Sequence, residues 1–94
     1  MSERYQISPE AVANRMGEAV VLVHVGTDRI FELNSSAARI WDLLAQGLDR
    51  ETISSQLAQE FNISKDQAYQ ETGDLLSSLI SERIITVCED EQPG

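Results

Sequence analysis

Apolar residues in the first third of the chain fall into short runs, a pattern typical of β-strands. Residues 18–25 include four valines, and Arg29–Leu33 forms a second β-prone run. The intervening residues 26–28 include a glycine and an aspartate, so the two runs predict a β-hairpin. Residues 12–16 predict a further short strand, which would complete an N-terminal antiparallel three-stranded sheet.

From Asn34 onward the apolar spacing changes to the period of helices. Asn34 and Asp49 are suitable N-caps for two helices, and Ser64 with Gln67 predicts a capping box at the start of a third helix over residues 65–82. The predicted inward-facing residues are Ala37, Ile40, Trp41 and Leu44 in the first helix, Ile53, Leu57, Ala58 and Phe61 in the second, and Ala68, Thr72, Leu75, Leu76 and Leu79 in the third.

The predicted order is a hairpin, three helices and a short strand over residues 84–87. This order indicates the α+β class and the architecture of a winged helix-turn-helix. A chain of 94 residues is long enough for one hydrophobic core. We therefore expect a single domain over residues 1–94, ordered from about residue 5 to residue 88, with an acidic frayed tail over residues 89–94.

The net charge narrows the choice of partners. The chain has 16 acidic and 7 basic residues, a net charge of -9. This charge opposes binding to nucleic acids and to anionic membranes, and it favours binding to basic peptides. It is equally compatible with a role in solubility alone. Residues 65–83 themselves carry a net charge of -2, which disfavours their entry into a DNA groove. We expect neither a nucleic-acid nor a membrane partner.

Candidate catalytic and metal-binding residues are few. His24 is the single histidine and Cys88 the single cysteine, whereas a tetrahedral metal site needs three or four protein ligands. We interpret His24 as a surface or hydrogen-bonded structural residue and Cys88 as a partly buried small hydrophobe. The sequence predicts no enzyme activity and no cofactor or metal. One cysteine and the lack of a long apolar run predict a cytoplasmic protein.

A local motif carries a family resemblance. The residues of this motif are Leu33 and Asn34, followed after five residues by Ile40, Trp41, Leu43 and Leu44. The motif resembles that of the PqqD family, and the apolar pattern continues the resemblance over about residues 12–87. The resemblance implies a RiPP recognition element, which binds the leader of a ribosomally made precursor peptide and presents it to a modifying enzyme. The motif looks most like the discrete recognition proteins of lasso-peptide pathways, whose partner is a separate leader protease.

The resemblance also implies where a leader would bind. In the family the leader adds as a strand to the edge of the sheet and lies against the third helix, which is β-augmentation. The residues implied for this site are Arg29, Ile30, Phe31, Glu32 and Leu33 on the strand and Tyr69, Gly73, Asp74, Leu76, Ser77 and Ile80 on the third helix. Strand alternation places Phe31 and Leu33 on one face and Ile30 and Glu32 on the other.

Glycine inside a helix costs roughly 1 kcal/mol relative to alanine, so Gly73 needs a structural reason. In the leader-binding hypothesis, Gly73 lets a peptide side chain approach the helix backbone. The competing interpretation makes Leu76 and Ile80 ordinary core residues and Tyr69 a surface aromatic. Three other functions stay open. They are a PqqD-type chaperone of a radical-SAM pathway, an acidic winged-helix adaptor for another protein, and a DNA-binding regulator, which the charge opposes.

Overall fold

The structure is a computed structural model that describes residues 3–89 of the chain. Five strands and three helices form within these residues. Their bounds are β1 Glu3–Ile7, β2 Ala11–Met16, β3 Ala19–His24, β4 Arg29–Leu33, α1 Ser35–Ala45, α2 Arg50–Phe61, α3 Lys65–Ser81 and β5 Ile85–Glu89.

The first layer of the fold is an antiparallel sheet in the order β2-β3-β4. In the predicted hairpin, Val20 pairs with Leu33 and His24 pairs with Arg29. The prediction of an α+β fold with a three-stranded sheet followed by three helices is confirmed. The winged helix-turn-helix label remains an interpretation of this topology.

Side-chain caps fix where the three helices begin, as predicted. Asn34 accepts a hydrogen bond from the Ala37 amide at 3.0 Å, and Asp49 and Ser64 cap α2 and α3 in the same way. The Gln67 side chain donates to Glu71, so only the Ser64 half of the predicted capping box forms among the described residues.

The core lies between the inner face of the sheet and the three helices. Its buried apolar residues are Val20, Leu22, Leu33, Ala38, Ile40, Trp41, Leu43, Leu44, Ile53, Leu57, Ala68, Leu76, Leu79, Ile84 and Ile85. Two predictions of burial are wrong. Phe61 is 37% exposed, because it is the last residue of α2 and the chain turns at Asn62 into a left-handed conformation. Cys88 is exposed on β5, which pairs with one strand only.

A second, two-stranded sheet joins the two ends of the described chain. β1 pairs antiparallel with β5, from Glu3 opposite Glu89 to Ile7 opposite Ile85. The strand predicted over residues 84–87 is confirmed as β5, whereas β1 was not predicted. The tail was predicted to begin at Glu89, which instead ends β5, and residues 90–94 lie outside the described residues.

Candidate functional site: the β4 edge and helix α3

β4 is an edge strand with one hydrogen-bonded neighbour, β3, in the part of the chain that the structure describes. In an antiparallel ladder, alternate residues of an edge strand direct their N–H and C=O groups away from the sheet. A five-residue edge is about 17 Å long at the usual rise of a strand. It can therefore pair with a peptide segment of about the same length.

The two faces of β4 differ, as strand alternation predicts. Phe31 and Leu33 pair with the buried Leu22 and Val20, so their side chains lie on the inner face. Leu33 is buried in the core and Phe31 is half-buried against it. Ile30 lies on the outer face and is 69% exposed. A peptide on this edge would therefore find Phe31 on the helix side and Ile30 on the outer side.

The C-terminal end of α3 lies beside the beginning of β4. The Arg29 guanidinium contacts the Glu82 carboxylate at 3.2 Å and lies 5.6 Å from the centre of the Phe31 ring. Ile80, the second-last residue of the helix, is 38% exposed. We call the space between β4 and the C-terminal half of α3 the β4–α3 groove. The Arg29–Glu82 ion pair joins its two walls.

Arg50 of α2 contacts the N-terminal half of the predicted helical wall, in which Tyr69 is 43% exposed. Arg50 donates a hydrogen bond to the Tyr69 carbonyl at 2.9 Å, and its guanidinium lies 3.7 Å from the centre of the Tyr69 ring. A Cβ atom at Gly73 would overlap this guanidinium. The packing of Arg50 therefore explains why glycine occurs at this position of the helix. In this structure Arg50, and not a peptide side chain, approaches the helix backbone at Gly73.

The remaining helix positions divide between the core and the surface. Leu76 is 3% exposed and belongs to the core cluster, so its side chain serves packing. Asp74, Ser77 and Ile80 are exposed. Of the predicted helix residues, Ser77 and Ile80 lie in the C-terminal half of α3 and are accessible, and they stay the predicted contacts of the groove.

His24 is a hydrogen-bonded structural residue, as interpreted from its strand position. It is buried, its Nδ1 accepts a hydrogen bond from the Thr27 amide at 3.2 Å, and a Glu10 carboxylate oxygen lies 4.0 Å from the same nitrogen. These contacts stabilise the turn between β3 and β4. Among residues 3–89, no group of three or more His, Cys, Asp or Glu residues is placed to hold a metal ion.

A concave site of about 260 Å³ lies at the opposite edge of the sheet, beside β2. It is lined by Arg15, Gly17, Glu18, Ser35, Ala38, Arg39, Asp42, Glu60 and Phe61. Arg39 binds Glu60 at 2.7 Å, and this hydrogen bond lowers the pKa of the Glu60 carboxyl and raises that of Arg39. Arg15 likewise binds Asp42 at 2.6 Å. These four charged side chains are paired with one another.

Three comparisons bear on this geometry. The model of the family described as Coenzyme PQQ synthesis protein D (PqqD) matches residues 19–85. The fold is similar to a solved structure described as TbiB1 in complex with the TbiA(beta) leader peptide, with a TM-score of 0.80, 26% sequence identity, and coverage of 94% of this chain and 99% of that chain. No curated protein matches the sequence.

A second solved structure, described as lasso peptide synthetase B1 complexed with the leader peptide, has a TM-score of 0.80 at 21% identity. The alignment covers 87% of this chain and 96% of that one, and at this identity it shows the fold alone. Within residues 3–89, none of the helices is long and apolar enough to cross a membrane.

Proposed function

Because the chain belongs to the PqqD family, we propose that it is a RiPP recognition element that binds the leader of a ribosomally made precursor peptide. The observation that carries this proposal is the open edge of β4 beside the exposed C-terminal half of α3. In this proposal the protein is not an enzyme. It holds the leader as an added strand, and the chemistry belongs to a separate protein.

Backbone pairing along β4 would supply affinity without sequence information, because every peptide residue except proline carries the same N–H and C=O groups. Selectivity would come from side chains that enter the β4–α3 groove and contact Phe31, Ser77 and Ile80. A leader that is disordered when free loses roughly 2–5 kcal/mol of the gross interaction on ordering. The apolar contacts in the groove must exceed that cost.

The charges near the groove favour a leader with basic residues. Asp74 on α3 and Glu32 on β4 are exposed and have no ion-pair partner among residues 3–89. A lysine or arginine of the leader beside one of them would contribute about 0.2–1 kcal/mol, as exposed ion pairs do.

The proposal also concerns the kind of enzyme that receives the leader. We propose a separate leader protease of a lasso-peptide pathway, and the likeness to a leader-bound protein at 26% identity supports the leader-binding part of this choice. The family description itself favours a second candidate, a PqqD-type chaperone of a radical-SAM pathway. Neighbouring genes for a leader protease and a cyclase would favour the first candidate, and a neighbouring radical-SAM gene the second.

A titration with the fluorescently labelled leader of the precursor encoded nearby tests the proposal. We expect saturable binding with a Kd of roughly 50 µM or tighter. Ile80→Asp should weaken binding at least about tenfold, which corresponds to about 1.4 kcal/mol, because it places a carboxylate against the apolar wall of the groove. Anisotropy measures the affinity, and circular dichroism shows whether each variant is folded.

Ser78→Asp is the matched control. It introduces the same charge two residues before Ile80 on α3, at an exposed position about 200° around the helix from Ile80. We expect its leader affinity to stay within about twofold of the wild-type value. If the wild-type protein shows no saturable binding, the proposed function is wrong. If folded Ile80→Asp binds as tightly as Ser78→Asp, the site is elsewhere.

A further inference from the structure

The outer face of the three-stranded sheet carries apolar side chains that no element covers in the described part of the chain. Val12, Val23 and Ile30 are cross-strand neighbours on this face, one from each strand. Val12 is 45% exposed and Ile30 is 69% exposed, while Val23 is half-buried between them. Val12, Val23 and Ile30 therefore form one continuous apolar row across the sheet.

The row extends toward the turn between β2 and β3. Met16 pairs with Ala19 on the same face, and Met16 is 63% exposed. Val21 lies between the two groups and is half-buried, with the exposed Asn14 and Glu32 on either side of it on the same face. We call Val12, Met16, Val21, Val23 and Ile30 the outer patch. Contiguous apolar patches on a protein surface are typical of binding sites, whereas single exposed apolar residues are not.

The charges around the outer patch have one sign. The two arginines of the three-stranded sheet, Arg15 and Arg29, lie on its inner face and are paired with Asp42 and Glu82. On the outer face Glu32 has no ion-pair partner within residues 3–89. The same holds for Asp28 in the turn between β3 and β4, whereas Glu18 lines the concave site on the helix side of β2. Glu32 and Asp28 therefore give the outer patch an uncompensated acidic border.

We propose that the outer patch is the docking surface for the modifying enzyme, and that the enzyme meets it with apolar residues bordered by lysine or arginine. Charge complementarity favours this occupant. A second copy of this chain would bring a second net charge of -9 and the same acidic border onto the patch. The inference rests on the proposed function, since it assigns the place where the leader's recipient binds.

The position of the patch has a consequence for the bound leader. A leader strand added to β4 would extend the sheet, and alternate leader side chains would project onto the outer face next to Ile30 and Glu32. An enzyme on the outer patch would then contact the sheet and the leader together. The enzyme should therefore bind the leader-loaded protein more tightly than the free protein, and by linkage the enzyme should tighten leader binding by the same factor.

Val12→Asp tests the inference, with Ala13→Asp as its matched control. Val12 lies on the outer face of β2, far from the β4 edge, and Ala13 is the next residue of the same strand and is exposed on the other face. The probe is the purified leader protease encoded with the precursor, and biolayer interferometry measures its binding to each variant with and without leader. Leader affinity is measured separately by anisotropy.

We expect Val12→Asp to weaken protease binding at least tenfold while leader affinity stays within twofold, and Ala13→Asp to change neither. Asp28→Asn, which keeps a residue type that tolerates the left-handed backbone at this position, should also weaken protease binding, and raising the salt concentration should reduce the difference between Asp28→Asn and wild type. Equal protease binding by Val12→Asp and Ala13→Asp, or no protease binding to a wild-type protein that binds leader, would overturn the inference. Failure of the leader to bind would instead overturn the proposed function.

Discussion

Two contacts between residues of different helices have consequences that can be measured. Arg50 of α2 contacts Gly73 of α3, and Arg39 of α1 pairs with Glu60 of α2. In the first, a guanidinium occupies the space in which a side chain at position 73 would begin. Glycine at this position makes the helix less stable than alanine would, by roughly 1 kcal/mol. The open space allows Arg50 to donate two hydrogen bonds to the Tyr69 carbonyl and to contact the Tyr69 ring.

A double-mutant cycle tests this exchange. In the wild-type background, Gly73→Ala should change the free energy of unfolding by less than about 0.5 kcal/mol, because the gain in helix propensity is offset by the displaced Arg50. In an Arg50→Ala background the same change should stabilise by about 1 kcal/mol. Urea unfolding measures all four proteins. Equal effects of Gly73→Ala in both backgrounds would contradict the coupling.

The Arg39–Glu60 pair predicts a dependence of stability on pH. The Arg39 hydrogen bond holds the pKa of Glu60 below its ordinary value of 4.5 in the folded protein. A lowered folded-state pKa adds stability above the unfolded-state pKa, and that stability is lost as pH falls through the folded-state value. Glu60→Gln should therefore destabilise by about 0.2–1 kcal/mol at neutral pH, since the pair is partly exposed, and by less at an acidic pH below 4.5.

Urea unfolding at both pH values measures this difference. Glu18→Gln serves as the control, because it removes a carboxylate that has no ion-pair partner in the described chain. An equal loss of stability for Glu60→Gln at neutral and acidic pH would exclude the ion pair as the cause.

At the scale of elements, the three-stranded sheet has two edges, β2 and β4. The β2 edge lies beside a concave site that contains two ion pairs, Arg15–Asp42 and Arg39–Glu60, and the β4 edge lies beside the C-terminal end of α3. A peptide that needs both backbone partners and an apolar wall finds the two together at β4. This difference is the physical basis for choosing one edge over the other.

Amide hydrogen exchange distinguishes the two edges directly. On addition of leader, alternate amides within Arg29–Leu33 should exchange more slowly, because those that point away from β3 become hydrogen-bonded. Amides of Ala11–Met16 should keep their rates. Exchange measured by NMR resolves the individual residues. Protection of Ala11–Met16 alone would place the leader at the wrong edge for this proposal.

At the scale of the whole molecule, the net charge of -9 acts against the compact state. We expect the free energy of unfolding at neutral pH to rise by about 0.5 kcal/mol between low salt and roughly 0.2 M NaCl. The reason is that salt screens the repulsion between the many acidic residues more than it weakens a few exposed ion pairs. Near the isoelectric point of about 4.3 the salt effect should vanish or reverse. Urea unfolding across a salt series measures both, and a fall in stability with salt at neutral pH would contradict the expectation.

How much the sequence predicts depends on how far apart the interacting residues are. The caps at Asn34, Asp49 and Ser64 act within three residues, and the valines of β3 show their strand locally, so both were predictable. The Arg39–Glu60 pair spans 21 residues and the Arg29–Glu82 pair spans 53, and no local pattern marks either. The placement of the leader on β4 and α3 comes from the family resemblance and stays a prediction, and the contact of Arg50 with Gly73 was not predicted.

The β1–β5 ladder has a consequence for how the chain folds. Its partners are about eighty residues apart, whereas the hairpins and helices close over short loops. The entropic cost of closing a loop grows with its length, so this ladder forms after the elements between its strands have collapsed and brought the two ends together.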